Sequence, residues 1–221
     1  KAGLRWATPL LFAALWLAFL WAATRPEPSH GSLLLEWGAL SGGLSTPQAW
    51  MAALRDGSAS RLFTALFLHA DWAHLLGNLV FLLIFGLPAE RAMGPWRFLL
   101  LFLVGGAVAN VAAVLSIGTP DRVIIGASGA ISAVIGAYLA LFPTAKLGVV
   151  LPLGLFLEFV KAPASLLIGI WALLQVVFAY TGPAFGAVAW WAHIAGFLFG
   201  VVFALFVRAA IARRLRKRQG Y

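Results

Sequence analysis

Six long runs of apolar residues constrain this chain more than any other feature of its sequence. They lie at about residues 6–24, 72–88, 96–117, 123–143, 163–180 and 187–207. A helix needs roughly 17 to 25 apolar residues to cross about 30 Å of hydrocarbon, so each run is long enough for one crossing. Of the 221 residues, 62% are hydrophobic and 10% are charged. The sequence therefore predicts an all-α polytopic membrane protein with six transmembrane helices.

Two other segments are apolar but irregular. Residues 147–159 contain Pro152 and Gly154, which interrupt a helix, so we expect this stretch to be interfacial or re-entrant. The connection from about residue 25 to 71 mixes Pro and Gly with apolar residues and predicts a long outer loop of short amphipathic helices between helices 1 and 2. No soluble segment is large enough to fold alone, and we expect a single membrane domain over residues 1–221.

The distribution of basic residues predicts the orientation of the chain. With both termini in the cytoplasm, twelve of the 16 Lys and Arg residues lie on the inner side: Lys1, Arg5, Arg91, Arg97, Lys146, Lys161, Arg208, Arg213, Arg214, Arg216, Lys217 and Arg218. The four that lie outside are Arg25, Arg55, Arg61 and Arg122. Inner loops of membrane proteins are enriched in Lys and Arg, so this orientation is favoured.

The net charge of +9 has a membrane explanation as well. The basic residues lie between apolar runs and are not interleaved with aromatic residues on a soluble face, so we predict no nucleic-acid partner. The basic tail, residues 208–221, is typical of a cytoplasmic anchor, and we expect it to bind anionic lipid headgroups.

The stretch "GASGAISAVIGAYLALF" places Ser128 at the start of an apolar run. Ser128, Ser132 and Gly136 recur every four residues and line one face of a helix with small side chains. Ser128 considered alone is explained equally by a helix cap or a small packing residue.

The stretch "WAHIAGFLFG" has a matching pattern, because His193 shares a helical face with Gly196 and Gly200. The GxxxG spacing of these glycines allows another helix backbone to come close. If this face packs against that of Ser128, the hydroxyl and the imidazole meet at one depth, because both helices begin on the outer side.

A third polar pair occurs in "HLLGN", where His74 and Asn78 lie one turn apart on the same helical face. Polar side chains of this kind commonly join membrane helices by hydrogen bonds, which is one interpretation of the pair. The other is a functional site, because His74 and Asn78 also lie in the outer part of their span. Four polar residues from three helices then converge near one level of the membrane.

Serine and histidine at this level indicate nucleophilic catalysis. A serine hydroxyl attacks a carbonyl only when a base takes its proton, and a histidine with a pKa of about 6.5 suits that task at neutral pH. The seven Asp and Glu residues lie in loops or at interfaces, so we expect a Ser128–His193 dyad rather than a triad. The chain has no cysteine, which excludes thiol catalysis, and we predict neither a metal nor another cofactor.

Acyl transfer also needs hydrogen-bond donors for an oxyanion. The N–H of Ser128 at a helix start, the Asn78 amide and the His74 ring are the candidates. The positions assigned to substrate binding or packing are Gly126, Ala127, Gly129, Gly196 and Gly200. At Gly126 the turn before the helix can require dihedral angles that only glycine tolerates.

The motifs "GASG", "HLLGN" and "AHIAGFLFG", with their order and separations, resemble those of the rhomboid intramembrane serine proteases. The resemblance extends over about residues 55–207 and includes "SRLFTALFLHADWAH", Glu90 and Gly94, and "PLGLFLEFVKAPA". It implies a six-helix bundle with Ser128 as nucleophile, His193 as general base and acid, and oxyanion donors from Asn78, His74 and the Ser128 N–H.

The resemblance also implies what such a protein acts on. Its substrates are single-pass membrane proteins, cleaved in or beside a transmembrane segment. The loop before span two is expected to dip into the outer leaflet, and span five with its preceding loop is expected to act as a lateral gate. A bacterial plasma membrane, with the site opening to the outer side, is the predicted location.

Two positions depart from the family pattern. Many members have an aromatic residue four positions after the nucleophile, packed on the imidazole, where this chain has Ser132. Trp190 or Trp191 is the candidate replacement. A Trp often precedes the loop arginine, whereas Ser60 precedes Arg61 here.

Two other functions stay open at this point. The same lateral cavity would let a non-catalytic protein bind or escort membrane clients. His74 and His193 are also a candidate pair of ligands for a b-type haem, although the serine protease accounts for more of the motifs.

Overall fold

The computed structural model describes residues 5–26, 29–42, 44–117, 122–153, 156–181 and 189–219. In this part of the chain the α-helices are α1 (Ala7–Ala23), α2 (Ser29–Trp37), α3 (Pro47–Arg55), α4 (Arg61–Thr64), α5 (Trp72–Phe81), α6 (Leu87–Met93), α7 (Pro95–Ser116), α8 (Ser128–Leu141), α9 (Ala164–Thr181) and α10 (Trp190–Gln219). Two 3₁₀ turns, Ser58–Ser60 and Ala65–Phe67, flank α4, and a π-helical turn, Leu82–Gly86, joins α5 to α6. The strands are β1 (Ala39–Leu40), β2 (Val123–Ile124), β3 (Lys146–Leu153) and β4 (Phe156–Pro163).

Apolar helices overlap all six ranges that the sequence marks as spans. Four helical segments of the described chain are long and apolar enough to cross a membrane: Trp72–Met93, Pro95–Ser116, Ala164–Thr181 and Trp190–Arg214. The other two helices, α1 and α8, are apolar but shorter, with 17 and 14 residues. The fold is thus mostly helical, as predicted, with two small β-ribbons that the all-α prediction did not include.

Helix α8 lies at the centre of the packed helices. Every residue from Gly129 to Tyr138 is buried, and α7 and α10 pack against it. Large apolar side chains on the outside of the structure remain exposed, including Trp96 (73%) and Phe206 (88%). Such a surface is unfavourable in water but suits contact with lipid tails. Lipid tails are as apolar as these side chains, so no hydrophobic effect drives the side chains into the protein interior.

The fourth apolar run is only partly helical. Its first residues form β2, which pairs antiparallel with β1 of the outer loop, and α8 begins at Ser128. The N–H of Ser41 donates to the Arg122 carbonyl over 2.9 Å and continues this pairing. The ribbon therefore ties the outer loop to the segment that leads into α8.

Residues 147–153 and 156–159 lie in two paired strands rather than in a helix, and Gly154 of the predicted interruption lies outside the described residues. Strands β3 and β4 pair antiparallel, with Lys146 opposite Pro163 and Pro152 opposite Leu157. A proline lacks the backbone N–H that a helix interior requires, whereas a two-stranded ribbon has only edge positions, where proline is tolerated. This explains why an apolar stretch beside helices becomes extended.

The connection between α1 and α5 contains the short helices α2, α3 and α4, and polar contacts hold α4 to α7 and to the end of α2. The Asn110 amide on α7 donates to the Leu62 carbonyl on α4 over 2.8 Å, and Asn110 is buried. Thr64 donates its hydroxyl to the Trp37 carbonyl over 2.6 Å. These contacts fix α4, and with it the backbone that approaches α8.

The buried carboxylate of Glu90 caps the amino end of α1. It accepts the N–H groups of Ala7 at 3.0 Å and Thr8 at 2.9 Å, and it is 1% exposed. The first N–H groups of a helix have no partner within the helix, and the helix dipole favours a negative charge there. Glu90 therefore attaches α1 to α6 at one end of the structure.

Candidate active site

The structure brings Ser128 and His193 together at the amino-terminal ends of α8 and α10. The Ser128 Oγ lies 2.9 Å from Nε2 of His193, within hydrogen-bond distance. Ser128 is the first residue of α8 and His193 lies in the first turn of α10. An alcohol and an imidazole at this distance can exchange a proton directly.

Small residues make this approach possible. A Cβ atom added to Gly196 would overlap the carbonyl oxygen of Gly129, and one added to Gly200 would overlap that of Ala133. On α8, a Cβ atom added to Gly136 would overlap the carbonyl oxygen of Phe197. The two helices therefore touch backbone to backbone along their glycine faces, which sets the depth and separation of Ser128 and His193.

The second nitrogen of His193 has an amide as its partner. Nδ1 lies 2.7 Å from Oε1 of Gln175, which is buried on α9. Gln175 is not among the predicted site residues, although the sequence offers one signal for it: it is the one amide side chain in the apolar run at 163–180. The site thus has three polar side chains in line, but the third is neutral.

Of the two tryptophans considered in place of an aromatic residue at position 132, Trp190 packs on the imidazole. Its ring centroid is 6.0 Å from that of His193, with the planes at 86°. Ser132 takes no part in this contact, because its hydroxyl donates to the Ser128 carbonyl over 2.7 Å. One turn of α10 thus carries both the imidazole and the aromatic ring against it.

The turn before Ser128 is shaped around His74. Gly126 has a φ of +111°, and a Cβ atom there would lie 2.6 Å from Cε1 and Nε2 of the His74 ring. The Gly126 N–H donates to the Ala65 carbonyl over 2.9 Å. Glycine is required here both for the dihedral angle and for the space that the imidazole occupies.

His69 contacts the same turn through a hydrogen bond to the backbone of Ala127. It is 1% exposed, its Nε2 accepts the N–H of Ala127 at 3.4 Å, and its ring lies 4.9 Å from that of His74. Burial, with the neighbouring His74, lowers the pKa of His69 to about 4. His69 is therefore neutral at pH 7, which leaves a ring nitrogen able to accept a hydrogen bond.

Two further predicted residues, Asn78 and Gly129, are buried at contacts on different helices. Asn78 is buried on α5, and its amide donates to the carbonyl of His74 over 2.9 Å. A Cβ atom on Gly129 would lie 2.5 Å from the Cβ of Ala109 on α7. Within the part of the chain that the structure describes, no group of three or more His, Asp or Glu residues could hold a metal ion.

The fold and this site define a class: an integral membrane protein whose polar groups converge among buried helices. Comparison with known sequences narrows the class, because the profile of the Rhomboid domain matches residues 56–210. The chain belongs to the rhomboid family. The resemblance predicted from the motifs is confirmed at the level of the family.

Its relatives come from distant organisms. The chain is 33% identical over 129 residues to the YdcA protein of Bacillus subtilis, covering 58% of this chain and 57% of that protein. It is 33% identical over 114 residues to Rhomboid-like protease 3 of Toxoplasma gondii, covering 52% and 39%. It is 31% identical over 104 residues to Rhomboid-related protein 2 of Mus musculus, covering 47% and 33%. The chain thus matches about half or less of the length of these relatives.

Proposed function

We propose that this protein is an intramembrane serine endopeptidase that cleaves single-pass membrane proteins within or next to their transmembrane segment. The observation that carries the proposal is the 2.9 Å contact between the Ser128 hydroxyl and Nε2 of His193 in a member of the rhomboid family. Of the two residues, Ser128 is the nucleophile and His193 is the general base and acid.

The proton transfers of the reaction use this pair and water. Oγ of Ser128 attacks the carbonyl carbon of the scissile bond while its proton passes to Nε2 of His193. The C–N bond breaks, and the imidazolium gives that proton to the departing amine. Water then gives a proton to the same nitrogen while its oxygen attacks the acyl carbon. The bond between that carbon and Oγ breaks, the acid leaves, and the imidazolium returns its proton to Oγ, which restores Ser128 and neutral His193.

Three donors would stabilise the oxyanion. Ser128 begins α8, so its N–H has no carbonyl partner within the helix. The His74 ring lies against Gly126, two residues before the nucleophile. The Asn78 amide nitrogen carries two hydrogens, of which one is used by the His74 carbonyl. One donor of this kind contributes roughly 10²–10³ in rate, so loss of Asn78 alone should slow the reaction without abolishing it.

The proposal places the site within the membrane and open to the outer side. Helix α8 has 14 residues and rises about 21 Å, less than the roughly 30 Å of hydrocarbon. If β2 and the following turn complete the crossing, Ser128 lies below the outer surface. On this basis we propose a six-helix bundle, with α1 and α8 as its shorter members and a motif-bearing core at about residues 55–207.

Charge and composition support the rest of the assignment. With both termini cytoplasmic, the basic tail at 208–221 faces anionic lipid headgroups. The partners we propose are therefore transmembrane substrates and the bilayer itself, with no cofactor. The compartment we propose is the plasma membrane of a bacterium.

The decisive experiment measures cleavage of a single-pass membrane protein by the purified chain, with labelling of Ser128 by a fluorophosphonate. Ser128→Ala and His193→Ala should each abolish cleavage and labelling while circular dichroism stays unchanged. Ser132→Ala is the matched control, because Ser132 lies one turn further along α8 and donates to a backbone carbonyl. Cleavage at a comparable rate by Ser128→Ala would refute the assignment. Substrate binding without cleavage by the unmodified chain would favour the non-catalytic escort.

A further inference from the structure

Gln175 is an exception on its helix. Of the 18 residues of α9, three are buried, and two of these, Ala164 and Ile168, are apolar. The third is Gln175, which is 6% exposed and lies 2.7 Å from Nδ1 of His193. A buried amide among apolar helices is costly unless it is hydrogen-bonded, so this contact needs an explanation beyond packing.

The amide has one orientation that satisfies its neighbours. Its Nε2 lies 3.4 Å from the carbonyl oxygen of Trp171, one turn earlier in α9. A carbonyl oxygen only accepts, so the NH₂ group faces Trp171 and the oxygen of the amide faces His193. An amide oxygen also only accepts, and the Nδ1 atom opposite it must therefore carry the hydrogen.

This requirement fixes the state of the opposite side of the ring. A neutral imidazole carries one hydrogen, so a ring protonated at Nδ1 has a lone pair at Nε2. That lone pair faces the Ser128 hydroxyl at 2.9 Å. With the hydrogen on Nε2 instead, the Nδ1 lone pair would face the amide oxygen of Gln175, which puts two acceptors opposite each other. Nε2 would then have no lone pair to take the serine proton.

We propose that Gln175 is a positioning residue that holds His193 in the tautomer able to deprotonate Ser128. This inference rests on the proposed protease function and adds to it a neutral third member from α9. Because the amide is uncharged, it sets the tautomer without stabilising the imidazolium as a carboxylate would. The tautomer also depends on where α9 lies, since any movement of α9 away from α10 removes the acceptor from Nδ1.

Few other groups compete for this role. In the described part of the chain, the hydrogen-bond partners of the His193 ring are the Gln175 amide at Nδ1 and the Ser128 hydroxyl at Nε2. From α10 itself, Trp190 contacts the ring by its aromatic edge and offers no acceptor at Nδ1. The hydrogen bond from Nδ1 to Gln175 is thus the contact that distinguishes the two tautomers.

The test compares Gln175→Leu, Gln175→Met and Gln175→Glu in the full chain. Leu and Met replace the amide with an apolar side chain of similar size and so remove the acceptor. Glu keeps an acceptor and adds a charge. Gln48→Leu is the matched control, because Gln48 is exposed in the outer loop. Nitrogen-15 spectra of labelled histidine, assigned with His193→Ala, report which ring nitrogen carries the hydrogen.

In the unmodified chain and in Gln175→Glu, His193 should carry its hydrogen on Nδ1. In Gln175→Leu and Gln175→Met a share of the signal should move to Nε2, and kcat should fall while KM changes little. General-base catalysis contributes about 10²–10⁴ in rate, which bounds the loss. Gln175→Glu should retain turnover, and the acid limb of its pH–rate profile should move to higher pH, because the carboxylate stabilises the imidazolium.

An unchanged Nδ1–H signal with unchanged kcat in Gln175→Leu and Gln175→Met would overturn the proposal. So would equal losses in all three variants without a change of tautomer, since that result fits a structural role alone. The spectra require no turnover, so they separate this inference from the proposed function. A chain that shows the Gln175-dependent tautomer but never cleaves would refute the protease and leave the positioning role intact.

Discussion

At the scale of single residues, Gly126 is the position where one added carbon should matter most. Its φ of +111° disfavours any side chain, and a Cβ atom would lie 2.6 Å from the His74 ring. Gly126→Ala should therefore shift His74 or the turn that leads to Ser128. Backbone strain costs about 1–3 kcal/mol. If it raises the activation free energy by that amount, kcat/KM falls roughly fivefold to 150-fold.

Gly77→Ala is the control for this measurement. Gly77 lies on the same helix as His74, and a Cβ atom there meets nothing within 4 Å. Alanine favours a helix over glycine by about 1 kcal/mol, so this variant should be as active as the unmodified chain and at least as stable. Equal cleavage rates for the two variants would show that the contact between Gly126 and His74 is not needed for the reaction.

The sequence revealed single residues when their spacing carried information. Ser128 and His193 each begin a face of small residues, and this pattern predicted that the two faces pack. Gln175 had no such pattern, because one amide in an apolar run is equally explained by a bond to its own helix. Its contact with His193 depends on which face α9 turns toward α10. The sequence does not indicate that face, because only three residues of α9 are buried.

At the scale of helices, the contact between α8 and α10 depends on the absence of side chains. Gly196→Val would force a side chain against the Gly129 carbonyl, where even a Cβ atom overlaps. Overpacking of this kind costs about 1–3 kcal/mol. We expect a lower melting temperature and a loss of cleavage, because the separation of α8 and α10 sets the distance between Ser128 and His193.

Gly169→Val on α9 is the matched variant, since a Cβ atom at that glycine meets nothing within 4 Å. It makes the same change in a membrane helix without touching a neighbour. The two variants should therefore differ clearly in thermal unfolding followed by tryptophan fluorescence. Similar melting temperatures would contradict the close packing of α8 on α10.

Elements were predictable where hydropathy alone decides them. Each apolar run located a helix, since burial in lipid and in a helix bundle both require continuous apolar sequence. The ends agree less well, because α10 continues to Gln219, twelve residues beyond the end of its run at 207. The start of α8 at Ser128, and the β1–β2 ribbon before it, depend on pairing with the distant outer loop. Ala39 and Ile124 are 85 residues apart, so no local pattern could reveal that they are opposite each other.

At the scale of the whole molecule, polar and apolar side chains lie in different places. Polar groups gather around the start of α8, whereas large exposed apolar side chains cover the outside of the helices. In water such a surface would aggregate, and in a bilayer it is simply solvated by lipid. Backbone groups without a hydrogen-bond partner are costly in contact with lipid. A membrane protein can keep a polar site with such groups at its centre only if protein, rather than lipid, surrounds them.

The orientation of the whole chain in its membrane is testable because the chain has no cysteine. Arg55→Cys and Arg216→Cys introduce one thiol each by the same substitution, in the outer loop and in the basic tail, and both positions are exposed. With twelve basic residues inside and four outside, we expect a membrane-impermeant maleimide to label Arg55→Cys in intact cells. Arg216→Cys should be labelled only after permeabilisation. The reverse pattern would put Ser128 at the cytoplasmic end of α8, and substrates would then have to reach it from the other side of the membrane.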